Sequence, residues 1–153
     1  MGLDMYLSKR TYIGAEYEHR NVKGMLTITA GKDNKIIPIQ FNRISYIEES
    51  VGYWRKANHI HAWFVENVQN GVDDCRDYEV SISDLETLLE FCKEVLTHKD
   101  KAADILPTQA GFFFGGTDYD EYYFHQCEET VKMLESILKE DNSQAHFTYN
   151  SSW

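Results

Sequence analysis

The hydrophobic pattern of the chain changes period partway along, and this change is the strongest constraint on its fold. Up to Glu48 the apolar residues fall mainly in short, β-branched or alternating stretches, which are typical of strands. Beyond that point they recur at spacings of three and four, which is typical of amphipathic helices. Strands first and helices later predict an α+β fold, with about three helices packed on a small antiparallel or mixed sheet.

The predicted strands are short and are separated by turn residues. Gly31–Asn34 is predicted as the four-residue turn of a hairpin, and Pro38 indicates that the second hairpin strand lies at an edge. The predicted strands are Leu3–Leu7, Met25–Ala30, Lys35–Gln40, Arg43–Glu48, Tyr78–Ser81, Gly111–Phe114 and Ala145–Trp153.

Three helices are predicted. The first spans Tyr53–Gln69 and is closed by Asn70-Gly71. The second starts at a capping box, Ser83–Glu86. The third spans Asp118–Glu140, with Thr117 as its N-cap. The second helix presents the clearest apolar stripe, formed by Leu85, Leu88, Leu89, Cys92 and Leu96.

Length and composition predict one globular domain over residues 1–153. Of the 153 residues, 42% are hydrophobic and 14% aromatic, which is enough to build a core. No internal repeat, low-complexity tract or linker divides the sequence.

The cysteines and the apolar segments indicate the cellular setting. Cys75, Cys92 and Cys127 are odd in number and have no CxxC spacing, so we expect reduced thiols rather than a disulfide framework or a structural zinc site. No apolar run is long enough to span a bilayer, and MGLDMYLSKR lacks the order of a signal peptide. The sequence therefore predicts a soluble, cytoplasmic protein with no membrane partner.

Charge is distributed unevenly along the chain. The formal net charge is −10; residues 1–60 carry +3 and residues 61–153 carry −13. An acidic protein is repelled by phosphate backbones, so direct nucleic-acid binding is disfavoured. The acidic helix faces are explained most simply as solvated surface. A second interpretation is an acidic surface that mimics DNA and occupies a basic partner.

One segment, Tyr53–Phe64, combines aromatic, cationic and polar residues. If a helix begins at Tyr53, then Trp54, Asn58 and His61 share one stripe at the border of the apolar face. Asn58 and His61 then either tie the helix to a neighbouring element or belong to a recognition patch. In such a patch the aromatic and Arg planes stack on a ligand while Asn and His bind its polar edges. The candidate ligand-binding residues are Tyr53, Trp54, Arg55, Lys56, Asn58, His61 and Trp63, with Asp73 and Asp74 in the turn that follows.

Metal and cofactor sites are not predicted. His59 and His61 are two residues apart, so on a helix they do not share a face as a zinc pair requires. No phosphate-loop, dinucleotide or nucleophile-elbow motif is present. Two catalytic hypotheses remain. The first is a small hydrolase that uses His61 with Asp73 or Asp74. The second is a nucleophilic cysteine paired with a histidine, although the spacing does not identify which two residues form the pair.

Several long motifs resemble a family of small uncharacterised phage and prophage proteins. The motifs are MGLDMYL, YWRKANHIHAWF, NGVDDC, LPTQAGFFFGGTDYDEYYF and the closing SSW, and the resemblance covers nearly the whole chain. It implies an accessory protein that acts in a bacterial host cytosol, where it modulates host machinery or counters host defence. The resemblance implies this cellular setting but does not imply a particular activity.

Within that context we expect one of three functions. The first is binding of a small nucleotide-like molecule by the patch around Tyr53–Trp63. The alternative is an acidic inhibitor of a host protein, and the small hydrolase comes third. The sequence leaves homo-oligomer formation open.

Overall fold

The computed structural model describes residues 2–153 and confirms the α+β fold. Among these residues it contains a four-stranded antiparallel sheet, a separate two-stranded hairpin and four α-helices. The strands are β1 (Asp4–Tyr12), β2 (Ile28–Ala30), β3 (Lys35–Ile37), β4 (Tyr46–Arg55), β5 (Tyr78–Val80) and β6 (Ala145–Ser152). The helices are α1 (Asn58–Asn67), α2 (Ile82–Thr97), α3 (Ala102–Ile105) and α4 (Glu121–Leu138). No helix in the described part of the chain has both the length and the apolar character needed to cross a membrane.

The sheet has one buried face and one open face. Its strand order is β4-β1-β6-β5, so the first and last strands of the chain lie side by side at its centre. Because side chains alternate along a strand, Met5, Leu7 and Tyr149 point to the helices and are fully buried. Tyr6 and Arg10, on the opposite face of β1, are exposed.

Helices α2 and α4 pack on each other over the buried face of the sheet. Leu85, Leu88 and Cys92 of α2, with Cys127 and Leu134 of α4, are fully buried in one core cluster. A fully buried Leu stabilises the fold by about 1.5–3 kcal/mol. The stripe that predicts α2 is therefore the face that holds the two helices together.

Helix α2 starts two residues earlier than the sequence predicts. Ser81 is the N-cap: its hydroxyl accepts from the backbone N–H of Asp84 (3.1 Å), and the Asp84 carboxylate accepts from the N–H of Ser81 (2.8 Å). The predicted box at Ser83–Glu86 was wrong because Ser81-x-x-Asp84 forms the same reciprocal pair directly after β5.

The predicted helix Tyr53–Gln69 divides into a strand and a shorter helix. Tyr53 and Trp54 pair with Tyr6 and Met5 of β1, so they belong to β4. Lys56 then adopts a left-handed conformation (φ 56°), and α1 begins at Asn58. The helical stripe through Trp54, Asn58 and His61 was therefore wrong, because strand pairing overrides a helical spacing that local sequence alone suggests.

The loop before α4 also differs from the prediction. Gly111–Phe114 was predicted as a buried strand but has no strand partner; Phe112 is 82% exposed and Phe113 has φ 61°. The N-cap of α4 is Asp120, whose carboxylate accepts from the N–H of Tyr123 (3.0 Å). The prediction of Thr117 as the cap was wrong, because α4 begins only at Glu121 and Asp120 directly precedes it. The negative charge of Asp120 also interacts favourably with the positive end of the helix dipole.

The N-terminal half contains the predicted hairpin, although its neighbours differ. β2 and β3 pair on either side of Gly31–Asn34, and Pro38 follows the end of β3. β1 runs on to Tyr12, well past the predicted Leu7. The predicted strand at Arg43–Glu48 is confirmed over its last three residues, which begin β4 at Tyr46, whereas a short 3-10 helix at Phe41–Arg43 takes up its start.

Candidate functional site

Asn58, the first residue of α1, holds the loop between α3 and α4. It is buried, and its amide nitrogen donates to the carbonyls of Phe114 (3.2 Å) and Gly116 (2.8 Å). Its amide oxygen accepts from the backbone N–H of Gln109 (3.1 Å). Three of the hydrogen bonds an amide can make are thus used on one loop. Asn58 therefore positions that loop against α1.

His61 connects three parts of the fold. It is fully buried; its Nδ1 is hydrogen-bonded to the hydroxyl of Tyr149 (2.7 Å) and its Nε2 to Asp73 (3.0 Å). Burial lowers the pKa of His61, and the nearby Asp73 carboxylate opposes that change. A hydrolase that uses His61 requires this contact with Asp73. The imidazole, however, is fully buried and has no contact with solvent.

The other candidate residues lie apart from one another. Trp54 is buried and donates from Nε1 to Oγ1 of Thr130 (2.9 Å). Tyr53 and Arg55 are exposed, and the Tyr53 hydroxyl donates to Asp4 on the open side of the sheet. Lys56 occupies the turn between β4 and α1, where its N–H donates to the carbonyl of Leu3 (2.7 Å). The structure thus divides the predicted patch between the open face, the core and a turn.

Asp74 has a partner of its own. Its carboxylate accepts from Nε of Arg76 (2.7 Å) and from the Arg76 backbone N–H (3.1 Å). Although partial burial acts the other way, these hydrogen bonds hold the pKa of Asp74 below its ordinary value. Asp74 therefore shapes the turn before β5, while its neighbour Asp73 contacts His61.

A groove runs between α1, α2 and the segment that follows α3. Its volume is about 620 Å³, within the range of small-molecule sites. We call it the α1 groove; it is lined by His59, Ala62, Trp63, Val65, Glu66, Asn67, Gly71, Phe91 and residues 105–110. Of the predicted site residues, Trp63 belongs to this lining. Asn58 contributes indirectly, because it holds Gln109 in the wall.

Trp63 lines the α1 groove and carries an indole N–H that makes no hydrogen bond among the described residues. The side chain is 5% exposed, and among residues 2–153 its indole N–H has no hydrogen-bond acceptor. A buried donor without a partner costs about 1–3 kcal/mol. An acceptor atom on a ligand would remove that cost, and because the indole nitrogen is itself buried, the Trp63 ring must shift for a ligand in the groove to reach it.

The charge of the groove lining is low. Glu66 is its one carboxylate, and within the described chain no Lys or Arg lines it. The apolar surface comes from Trp63, Phe91 and Leu106, and the polar groups from Asn67 and Gln109. Such a lining suits a planar, uncharged molecule with polar edges better than a phosphate ester.

A thiol–imidazole pair lies behind the groove. The sulfur of Cys127 is 3.6 Å from Nε2 of His59, and the His59 ring packs on Tyr123 with centroids 4.2 Å apart. The Cys92 thiol, by hydrogen bonding, and then His59 lower the pKa of Cys127 to about 6, against the opposing effect of burial. Both sulfurs are fully buried, so the pair is shielded from substrates in this conformation.

The contact between Cys127 and His59 was not predicted from the sequence, and neither were most residues of the α1 groove. His59 was considered with His61, as a zinc pair on a helix that was predicted to begin too early, and Cys92 and Cys127 lie on different helices. Their one sequence signal is that Cys92 falls within the apolar stripe of α2. The residues after α3 gave no periodic signal, because that segment is irregular and is held by side-chain hydrogen bonds.

Metal chemistry has no support from the side-chain geometry. Among residues 2–153, no group of three or more His, Cys, Asp or Glu is arranged to hold an ion.

The comparisons with known proteins leave the fold and the site as the basis for functional inference. The chain matches no protein-family model, no curated protein and no solved structure.

Proposed function

We propose that the chain is a phage- or prophage-type accessory protein that binds a small, nucleoside-like ligand in the α1 groove. The observation that carries this proposal is the unpartnered indole N–H of Trp63 in the wall of a groove of about 620 Å³. The accessory role in a bacterial host cytosol rests on the sequence resemblance alone.

The groove chemistry narrows the nucleotide-like ligand expected from the sequence. Trp63 and Phe91 supply aromatic surface for a flat ring, and Trp63 supplies a donor for a ring nitrogen or carbonyl oxygen. Asn67 and Gln109 offer amides for the polar edges of a base or sugar. Because Glu66 repels phosphate and no cation lines the groove in the described chain, a nucleoside or free base should bind more tightly than its phosphate.

The test is a thermal-shift panel of nucleobases, nucleosides and nucleotides, preceded by native mass spectrometry of the protein purified from bacterial cells. A ligand at about 100 times its dissociation constant stabilises the fold by roughly 2.7 kcal/mol. For a chain of this size that is a shift of several degrees, at about 2–4 °C per kcal/mol. We expect nucleosides to shift the midpoint more than the matching monophosphates.

Two variants locate the binding site. Ala62→Leu fills the groove from a position that is only partly buried, so it should abolish the shift while the protein stays folded. Arg55→Ala removes an exposed side chain of the originally predicted patch and should leave the shift unchanged. Loss of the shift in Arg55→Ala, with retention in Ala62→Leu, would move the site to the patch. No shift across the panel would contradict the proposal.

A second candidate, an acidic inhibitor of a host protein, is favoured by the outer faces of α2 and α4. Exposed carboxylates follow one another along both helices, at Glu86, Glu90 and Glu94 and at Glu121, Glu128 and Glu129. Such an inhibitor should bind its basic partner with a steep salt dependence and should be insensitive to Ala62→Leu. A pull-down from host lysate at low and high salt distinguishes this function from ligand binding.

The small hydrolase has weaker support. His61 and Asp73 are in contact, but His61 is fully buried and does not line the α1 groove. Turnover that is lost in His61→Gln, in a variant that remains folded, would revive this hypothesis.

A further inference from the structure

The N-terminal hairpin lies on an arm that is almost entirely solvent-exposed. We define the arm as residues 16–43; within it Ile39 and Phe41 are partly buried and all other residues are exposed. The arm is anchored at its base, where the N–H of Ala15 donates to the carbonyl of Ile44 (2.9 Å). Neither β2 nor β3 pairs with the four-stranded sheet.

The arm exposes large apolar side chains that a lone, solvated hairpin does not stabilise. Met25 is 94% exposed and Ile36 64% exposed, and Tyr17, Leu26 and Ile37 are also exposed. Strands of three residues are marginal in water without a covering surface, and clustered exposed apolar residues mark interaction sites. The exposed apolar residues of the arm therefore indicate a surface that another protein surface covers.

The charge of the arm identifies the rest of this chain as its complement. The arm carries five Lys and Arg against three Asp and Glu, a net charge of +2, so the remainder of the chain carries −12. In the described chain, Lys23, Lys32, Lys35 and Arg43 have no carboxylate within ion-pair distance. Opposite charges on arm and body attract when two copies meet.

Strand β4 provides the matching surface. It pairs with β1 on one side and, among residues 2–153, with no strand on the other. Its first half is exposed and contains two apolar residues, Tyr46 and Ile47, followed by two carboxylates, Glu48 and Glu49. An exposed edge strand of this kind is a template for pairing with another chain.

We infer that the protein forms a two-fold symmetric dimer in which the arm of each copy packs along the first half of β4 of the other. Apolar residues of the arm cover Tyr46 and Ile47, and the lysines of the arm pair with Glu48 and Glu49. Symmetry repeats the same contact twice, so both arms are covered. This inference is independent of the α1 groove and of any ligand.

Sedimentation velocity of the full chain over a range of concentrations tests the dimer. The wild-type protein should sediment as a dimer that dissociates on dilution. Met25→Glu and Ile36→Glu should each raise the dimer dissociation constant about tenfold or more. Both side chains are exposed in the single chain, so these variants should keep its fold. Phe112→Glu is the matched control, because it changes an exposed apolar residue outside the arm and should leave the dimer intact.

Charge reversal and cross-linking identify the contacting surfaces. The pair Glu48→Lys and Glu49→Lys should weaken the dimer, and adding Lys32→Glu and Lys35→Glu should restore it. Carbodiimide cross-linking of a mixture of isotopically light and heavy chains should join Lys35 to Glu48 or Glu49 in mixed-mass peptides. A monomer at every concentration, or a dimer unaffected by Met25→Glu and Ile36→Glu, would overturn the inference.

Discussion

The sulfur of Cys127 lies 3.6 Å from Nε2 of His59, in a fully buried contact between α4 and α1. Together with the Cys92 thiol, this contact favours the thiolate form of Cys127 and lowers its pKa, although burial acts the other way. Charged hydrogen bonds of this kind are worth more in the core than at the surface, because the effective dielectric constant is lower there.

The depressed pKa of Cys127 predicts that stability depends on pH between about 6 and 9. The ordinary pKa is 9.0 and the folded-state value is about 6. Between these values the unfolded chain binds the proton that the folded chain has lost, so the free energy of unfolding should fall as pH is lowered from about 9 to about 6. Denaturant unfolding of reduced protein at several pH values measures this slope. Cys127→Ser should flatten it, whereas Cys75→Ser, at an exposed thiol, should retain it.

His61 predicts a separate loss of stability in acid. Burial lowers its pKa below the ordinary 6.5, so its contribution is complete above pH 6.5 and is lost as pH falls further and the unfolded chain takes up the proton. Unfolding measured between about pH 5 and 6.5 should show this decline. Asp73→Asn removes the opposing carboxylate and should lower the folded-state pKa, followed by NMR titration of the ring. A folded-state pKa that rises in Asp73→Asn would refute this account.

Trp54 is predicted to contribute strongly to the free energy of unfolding, and Arg55 is predicted to contribute little. Trp54→Ala removes a buried indole and its hydrogen bond to Thr130, and should lower the free energy of unfolding by about 3–5 kcal/mol. Arg55→Ala should change it by less than about 0.5 kcal/mol, because the side chain is exposed. Chemical denaturation of the two variants makes the comparison. Equal effects would show that the β4 assignment of Trp54 is wrong.

Long, regular patterns in the sequence predicted their elements well. The α2 stripe from Leu85 to Cys92 is buried as expected, and β6 forms at Ala145–Ser152, where a final strand was predicted. The hairpin around Gly31–Asn34 follows from local turn chemistry and was also correct. Each of these signals is carried by residues that are close together in sequence.

The errors share a long-range cause. Tyr53 and Trp54 have helix-compatible spacing, but pairing with β1, more than 45 residues away in sequence, makes them strand. The loop after α3 is held in place by hydrogen bonds to Asn58. The contact between Cys127 and His59, with Cys92 beside it, requires α4, α1 and α2 to pack together. A single sequence contains no local trace of these contacts, so the candidate groove appeared only with the fold.

Asn58 is predicted to support the α1 groove by holding its wall. Asn58→Ala leaves the carbonyls of Phe114 and Gly116 and the N–H of Gln109 without their partner, and should cost about 1–3 kcal/mol. Hydrogen exchange at Gln109 should accelerate more than exchange in α2, which Asn58 does not contact. Uniform acceleration through the whole chain would indicate global destabilisation instead of a local role in the groove wall.

The most direct test of the proposed function is an NMR titration that follows the indole N–H signals of Trp54, Trp63 and Trp153 while nucleosides are added. The Trp63 signal should shift, because the ligand supplies the acceptor that the indole N–H lacks. Trp54, already bonded to Thr130, and the exposed Trp153 serve as internal controls. The shift should disappear in Ala62→Leu. A stationary Trp63 signal at saturating nucleoside, or a shift that persists in Ala62→Leu, would show that nucleosides do not bind in the α1 groove.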